Sequence, residues 1–258
     1  MNRIEIESAV FAFALFFGML LITEWGRRVG GRQRTGIMAG GAAGVGAVEA
    51  AIFALLGLLI AFTFQGAAGR FDARRGLIVQ EANNIGTAWL RIDLLPAAAQ
   101  PGMRALFRQF LDSRLETYRK IPDLAAVQIE LARTAQLQDQ IWKAALAAAV
   151  EGGQTVVVGV LPALNEMFDI VTTRTMAAQT HPPMIVFLML ALMAYTAAFM
   201  AGHGMSGSKV RSWVHSIGFA AALAITVYVI LDMEYPRLGL IRVDAFDQVL
   251  VELRQGMK

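Results

Sequence analysis

Glu49 is the acidic residue with the most to offer. It opens a run of twenty residues without a charge, Ala50 to Gly69. A carboxylate at such a place could bias ions at the mouth of a pore, because ionisable groups at membrane depth are costly and tend to mark ion pathways. Glu24, Asp232 and Glu234 also stand beside apolar runs. They lie at the edges, where water or headgroups solvate a charge, and a plain interfacial role is expected for them. The other reactive residue types do not assemble. His181, His203 and His215 are too scattered for a metal site. The segment Gly202-His203-Gly204-Met205-Ser206-Gly207-Ser208-Lys209 has the flavour of a phosphate loop, but Ser208 separates the glycine from the lysine and no strand precedes it. Gly40 to Gly46 is glycine-rich and also lacks a preceding strand. There are no cysteines, so disulfides, thiolate metal sites and Cys nucleophiles are excluded. No nucleophile elbow or metalloprotease helix occurs. The chain is expected not to be an enzyme and to need no cofactor and no metal.

The elements that would position these residues are membrane spans. The chain is 56% hydrophobic and 17% charged, against about a quarter charged in soluble domains. Its formal net charge of +3 is too small to argue for a nucleic acid partner. Ala50 to Gly69 is long enough to cross a hydrocarbon core about 30 Å thick. It is followed by Arg70-Phe71-Asp72-Ala73-Arg74-Arg75 with no proline to stop the helix, so span two is expected to continue into water. Ser8 to Thr23, Pro182 to Gly202 and Ser212 to Leu231 supply three further spans. The first is read as a retained span rather than a signal peptide. Glu5 and Glu7 stand where positive charge should be, and Thr23-Glu24-Trp25 offers no cleavage site.

The expected fold is therefore all-α and polytopic, with four transmembrane helices and a helical soluble insert between spans two and three. Residues 1–69 hold spans one and two, 70–181 the insert, 182–235 spans three and four, and 236–258 a soluble tail. Four spans place both termini and the insert on one face. Charge does not say which face: Arg27, Arg28, Arg32, Arg34, Lys209 and Arg211 on one side balance Arg3, Arg70, Arg74, Arg75, Arg174, Arg237 and Arg242 on the other.

Within the insert, Ile78, Ala82, Ile85, Trp89 and Ile92 recur at spacings of 4, 3, 4 and 3, one stripe on the helix that continues span two. Pro96 and Pro101-Gly102 end it. A second helix is predicted over Met103–Lys120. A third starts at the N-cap Asp123 and ends at Gly152-Gly153. Thr155–Leu164 is too short to span and carries Pro162, which predicts a buried, kinked helix. Asp244 is expected to cap a short terminal helix.

Span two has two notable rows. Gly57 and Ala61 are small residues four apart, suited to close helix packing. Ala54, Leu58 and Phe62 form an i, i+4, i+8 row. In a lone bundle that row is core, as periodicity alone favours. In a ring of identical subunits it would line an axis, where apolar rings gate ions by dewetting.

Three blocks carry a family resemblance. They are Leu55-Leu56-Gly57-Leu58-Leu59-Ile60-Ala61-Phe62-Thr63-Phe64 followed by Arg70–Arg75, then Glu81-Ala82-Asn83-Asn84-Ile85-Gly86-Thr87-Ala88-Trp89-Leu90-Arg91. Leu161-Pro162-Ala163-Leu164-Asn165-Glu166 with Arg174 downstream, and Pro236–Val243, support them. Together they resemble the bestrophin-like family of bacterial membrane proteins. A more distant resemblance to bestrophin channels rests on the shared layout and on Phe62 standing eight positions before Arg70-Phe71.

That likeness implies a homo-oligomeric, pentameric ion channel in the bacterial inner membrane, with insert and termini cytoplasmic. Its partners would be the lipid bilayer, copies of itself and small inorganic ions. Ala54, Leu58 and Phe62 map to a hydrophobic pore neck, Glu49 to the pore mouth, and Arg70 and Phe71 to the helix exit. Ala54 departs from the bulkier pattern of such necks. The acidic calcium-binding cluster of vertebrate bestrophins has no counterpart, and ion selectivity does not follow. The alternative is a non-conducting membrane sensor or scaffold whose insert binds a protein partner.

Overall fold

Every regular element among the described residues is helical. The computed structural model describes residues 3–34, 42–207 and 213–258. Lys209, Arg211 and Ser212, and the Gly40 end of the glycine-rich segment, lie outside them. The helices are α1 (Arg3–Arg34), α2 (Ala42–Leu90), α3 (Gln100–Arg119), α4 (Leu124–Gly159), α5 (Leu161–Gln179), α6 (Met184–Gly204), α7 (Trp213–Glu234) and α8 (Gln248–Gly256). Four stretches are long and apolar enough to cross a membrane: Glu5–Arg32, Gly46–Leu94, Leu161–Gly207 and Trp213–Glu234. The chain forms two compact units, Met1–Gly69 with His181–Tyr235, and Arg70–Thr180 with Pro236–Lys258.

In the first unit α1 packs against α6 and α7 around Leu15, Met19, Leu190, Ala194, Ala197 and Val227. The α1–α6 seam is close because two glycines permit it. A Cβ on Gly202 would run into the Thr23 carbonyl, and one on Gly26 into the Phe199 carbonyl. Small residues that let backbones approach are the usual means of joining helices in lipid, where no hydrophobic force drives them together.

The expected close packing at Gly57 and Ala61 is not found within the chain: both are exposed, and a Cβ on Gly57 would meet nothing within 4 Å. Asp232 and Glu234 also depart from the expected solvated edge. They are 5% and 1% exposed. Glu234 lies 3.6 Å from Nδ1 of His181, whose ring stacks on Tyr235 at 4.5 Å. A carboxylate leaves water only where other groups take over its hydration. Glu24 keeps to the surface pattern, accepting from Arg27 and Arg28 one turn on.

The second unit is built on the later part of α2 with α3, α4, α5 and α8. Its core includes Ile78, Ile85, Phe107, Phe110, Ile141 and Leu164. The predicted stop at Pro96 is reached through a tight 3-10 turn at Arg91–Leu94. Pro101, expected to end a helix, instead sits in the first turn of α3, where its missing N–H costs nothing. Asp123 caps α4 by accepting from the Ala126 amide at 3.0 Å. Gly153 breaks α4 with φ of 57°, a conformation that only glycine adopts cheaply.

Beyond that break the segment around Val157 is half-solvated rather than buried. Val156 and Val160 face the core while Thr155, Val157 and Val158 are exposed. Asp244 caps nothing. It accepts from Arg237 and Arg242 and opens a 3-10 turn ahead of α8.

Candidate functional site

The helix α2 is uninterrupted over its 49 residues, and one of its faces stays uncovered. Ala51, Ala54, Leu58, Phe62, Gln65 and Gly69 are exposed in the first unit. Asp72, Gly76, Gln80, Asn83 and Thr87 are exposed in the second. At about 100° per residue these positions fall on one side of the helix. The opposite side carries Leu56, Thr63 and Ala67, and then Arg74, Ile78, Glu81, Ile85 and Ala88. All of these are buried except the half-buried Thr63.

The sequence-derived row is therefore not core. Leu58 is 51% and Phe62 67% exposed, so the other described residues leave most of both side chains uncovered. Leu56, on the far side, takes the core position at 2%. Glu49 is half-buried beside Gly204. Phe71 is half-buried against the core of the second unit. Arg70 is half-buried as well. Arg74 does the anchoring work: it is buried and donates to the Ala177 and Thr180 carbonyls, at 3.0 and 2.8 Å. Those are terminal carbonyls of α5, the end at which a cation is favoured.

A second constellation lies inside the second unit and was not foreseen. Glu81, fully buried on α2, accepts from Nε of Arg114 on α3 at 2.5 Å and from Nη1 of Arg174 on α5. Arg114 also donates to the Tyr118 hydroxyl. Its remaining nitrogen, Nη1, is buried without a hydrogen-bond partner among the described residues. Three guanidiniums surround the Tyr118 ring, Arg174 at 4.0 Å, Arg237 at 4.4 Å and Arg114 at 5.1 Å from its centroid. Arg237 and Asp247 close the cluster from the C-terminal segment with two hydrogen bonds at 2.7 and 2.9 Å.

Burial opposes the charge on Glu81, yet Arg114 and Arg174 hold its carboxyl below the ordinary carboxylate value. Burial and the nearby Glu81 charge push the Tyr118 phenol up, so it stays neutral. The signal that could have revealed this cluster was in the sequence. Glu81 and Arg114 are opposite charges standing at core positions of otherwise apolar helical stripes, Ile78–Glu81–Ile85 and Phe107–Phe110–Arg114.

Among the described residues no group of His, Asp and Glu is arranged to hold a metal. The bestrophin-like domain model matches residues 42–245, and the chain belongs to that family. A solved structure, a point mutant of a bacterial bestrophin homologue from Klebsiella pneumoniae, has a similar fold. Its TM-score is 0.63 at 15% identity, covering 93% of this chain and 97% of that one. No curated protein matches the sequence. The chain is thus an all-helical, membrane-embedded protein of the bestrophin-like family.

Proposed function

We propose that this protein is an oligomeric ion channel of the bacterial inner membrane, with α2 of each copy facing a shared axis and the second unit on the cytoplasmic side. The observation that carries this is the uncovered face of α2. A large aromatic, Phe62, and Leu58 one turn before it are left largely uncovered by the fold of the single chain, on the helix that bears the blocks of the family resemblance. Family membership and the likeness to a bacterial bestrophin homologue support the same role.

In such a ring Leu58 and Phe62 form an apolar constriction that blocks ions by excluding water until it widens. Ala54 adds little bulk. Glu49 stands at one mouth and biases which ions approach. Arg70 and Phe71 mark the exit, with Arg74 holding α2 to α5 just beyond. The channel conducts passively and carries out no reaction.

Purified protein in liposomes should pass small ions. Truncating the constriction with Leu58→Ala and Phe62→Ala should raise flux severalfold over the parent. Vesicles that stay tight in every salt tested, for parent and both variants, would overturn the proposal.

A further inference from the structure

Between Arg70 and Leu90, α2 carries five charged residues: Arg70, Asp72, Arg74, Arg75 and Glu81. Three are arginines, so by count this stretch is basic. The fold inverts that sign at the surface. Arg74 is buried on the Ala177 and Thr180 carbonyls, and Glu81 is buried between Arg114 and Arg174. Arg70 is half-buried, and standing two residues before Asp72 it lies about 160° away around the helix. Arg75 is half-buried too, its guanidinium 4.3 Å from the centroid of the Phe246 ring and 5.7 Å from that of Phe71. Of the five, only Asp72 is exposed. It shares its uncovered face with Gly76, Gln80, Asn83 and Thr87, none of which carries a charge.

We propose that Asp72 makes the path along α2 prefer small cations over anions. This deepens the function proposed above and rests on it. Where α2 of each copy faces a shared axis, the second unit adds one carboxylate per copy to the wall of the path. Repeated around a ring, these carboxylates form the kind of acidic girdle that selects cations. Gln80, Asn83 and Thr87 offer amide and hydroxyl dipoles that serve ions of either sign.

Asp72 has one partner, Nη1 of Arg75, which donates to its carboxylate at 2.9 Å. The pair is lopsided. The side chain of Asp72 is 68% exposed and that of Arg75 40%, because the guanidinium is drawn back over the two aromatic rings. An exposed pair of this kind is weak and screened. An ion approaching from the open side meets the carboxylate first, and the nearer charge dominates.

The test is the reversal potential of the full-length protein in planar bilayers under a potassium chloride gradient. The parent should favour potassium over chloride severalfold. Asp72→Glu should keep that preference, Asp72→Asn should lower it severalfold, and Asp72→Lys should reverse it. Arg75→Gln breaks the same contact as Asp72→Asn but removes the opposing charge, so it should strengthen the preference. A merely structural contact would move Asp72→Asn and Arg75→Gln the same way, and that result overturns the proposal. So does a conducting parent that favours chloride, or an Asp72→Asn channel with the parent's ratio; in each case the channel itself stands. A parent silent in every salt overturns both.

Discussion

Glu81 concentrates in one side chain a balance that elsewhere is spread over many. Fully buried and bonded by two guanidiniums, it is stable only as part of its network. Glu81→Gln removes the carboxylate that pairs with Arg114, leaves Arg174 only its 3.7 Å approach to Asp247, and should cost about 3–5 kcal/mol, the usual penalty for breaking a buried pair. Thermal melting of the detergent-solubilised protein measures it.

Acid should do the same work. Because the folded carboxyl is held below the ordinary value of 4.5, its contribution is complete at neutral pH. It is lost as pH falls from that value through the depressed one. The melting temperature of the parent should drop over this range, with a shallower slope for Glu81→Gln. Glu130, lowered by its hydrogen bond to Lys120, titrates the same way in both proteins and cancels in the comparison.

At this scale the sequence was half legible. Phe62 and Leu58 stood out by spacing, but a period identifies an apolar face without saying whether protein, lipid or a shared axis covers it. Glu81 and Arg114 were passed over because a hydrophobic template skips the charged member of a stripe. Their meeting depends on three segments far apart in the chain.

At the scale of elements most of the fold was readable. Spans two, three and four, the helix over Met103–Lys120 and the cap at Asp123 follow from uncharged length, apolar period and capping chemistry. The boundaries that moved did so for local reasons. Pro101 starts α3 because a first turn has no use for its N–H. Asp244 caps nothing because Arg237 and Arg242 claim its carboxylate.

Gly153 is the clearest backbone requirement. At φ 57° and ψ −141°, Gly153→Ala should destabilise by about 1–3 kcal/mol, the cost of a side chain in a sparsely allowed region. Open space around its Cβ position means the loss comes from conformation and not from collision. Gly202 is the opposite case, limited by space. Gly202→Leu would drive a side chain into the Thr23 carbonyl and should cost at least about 1–3 kcal/mol through overpacking of α1 on α6. Gly57→Ala, at an exposed position of α2 with nothing within 4 Å of its Cβ, should stabilise the isolated chain by about 0.5–1 kcal/mol, the helix-interior difference between glycine and alanine.

The whole molecule raises the matter of copies. A chain of 28.0 kDa with an aromatic and a leucine left largely uncovered on α2 has an incomplete surface, which either lipid or further copies must cover. Under the proposed channel, native mass measurement of the detergent-solubilised protein gives a closed multiple of the chain mass, and the pentamer implied by the family resemblance is the expected value. A monomer would favour a scaffold that uses its helical insert to bind a partner.

The most direct test asks what medium Phe62 faces. Phe62→Cys is placed in the cysteine-free chain, reconstituted, and treated with a charged, water-soluble thiol reagent while flux is recorded. A residue at a conducting constriction is wetted, reacts, and changes the flux at once in proportion to labelling. If the site fails to label in a conducting protein, or labels fully while flux continues unaltered, α2 does not line the path.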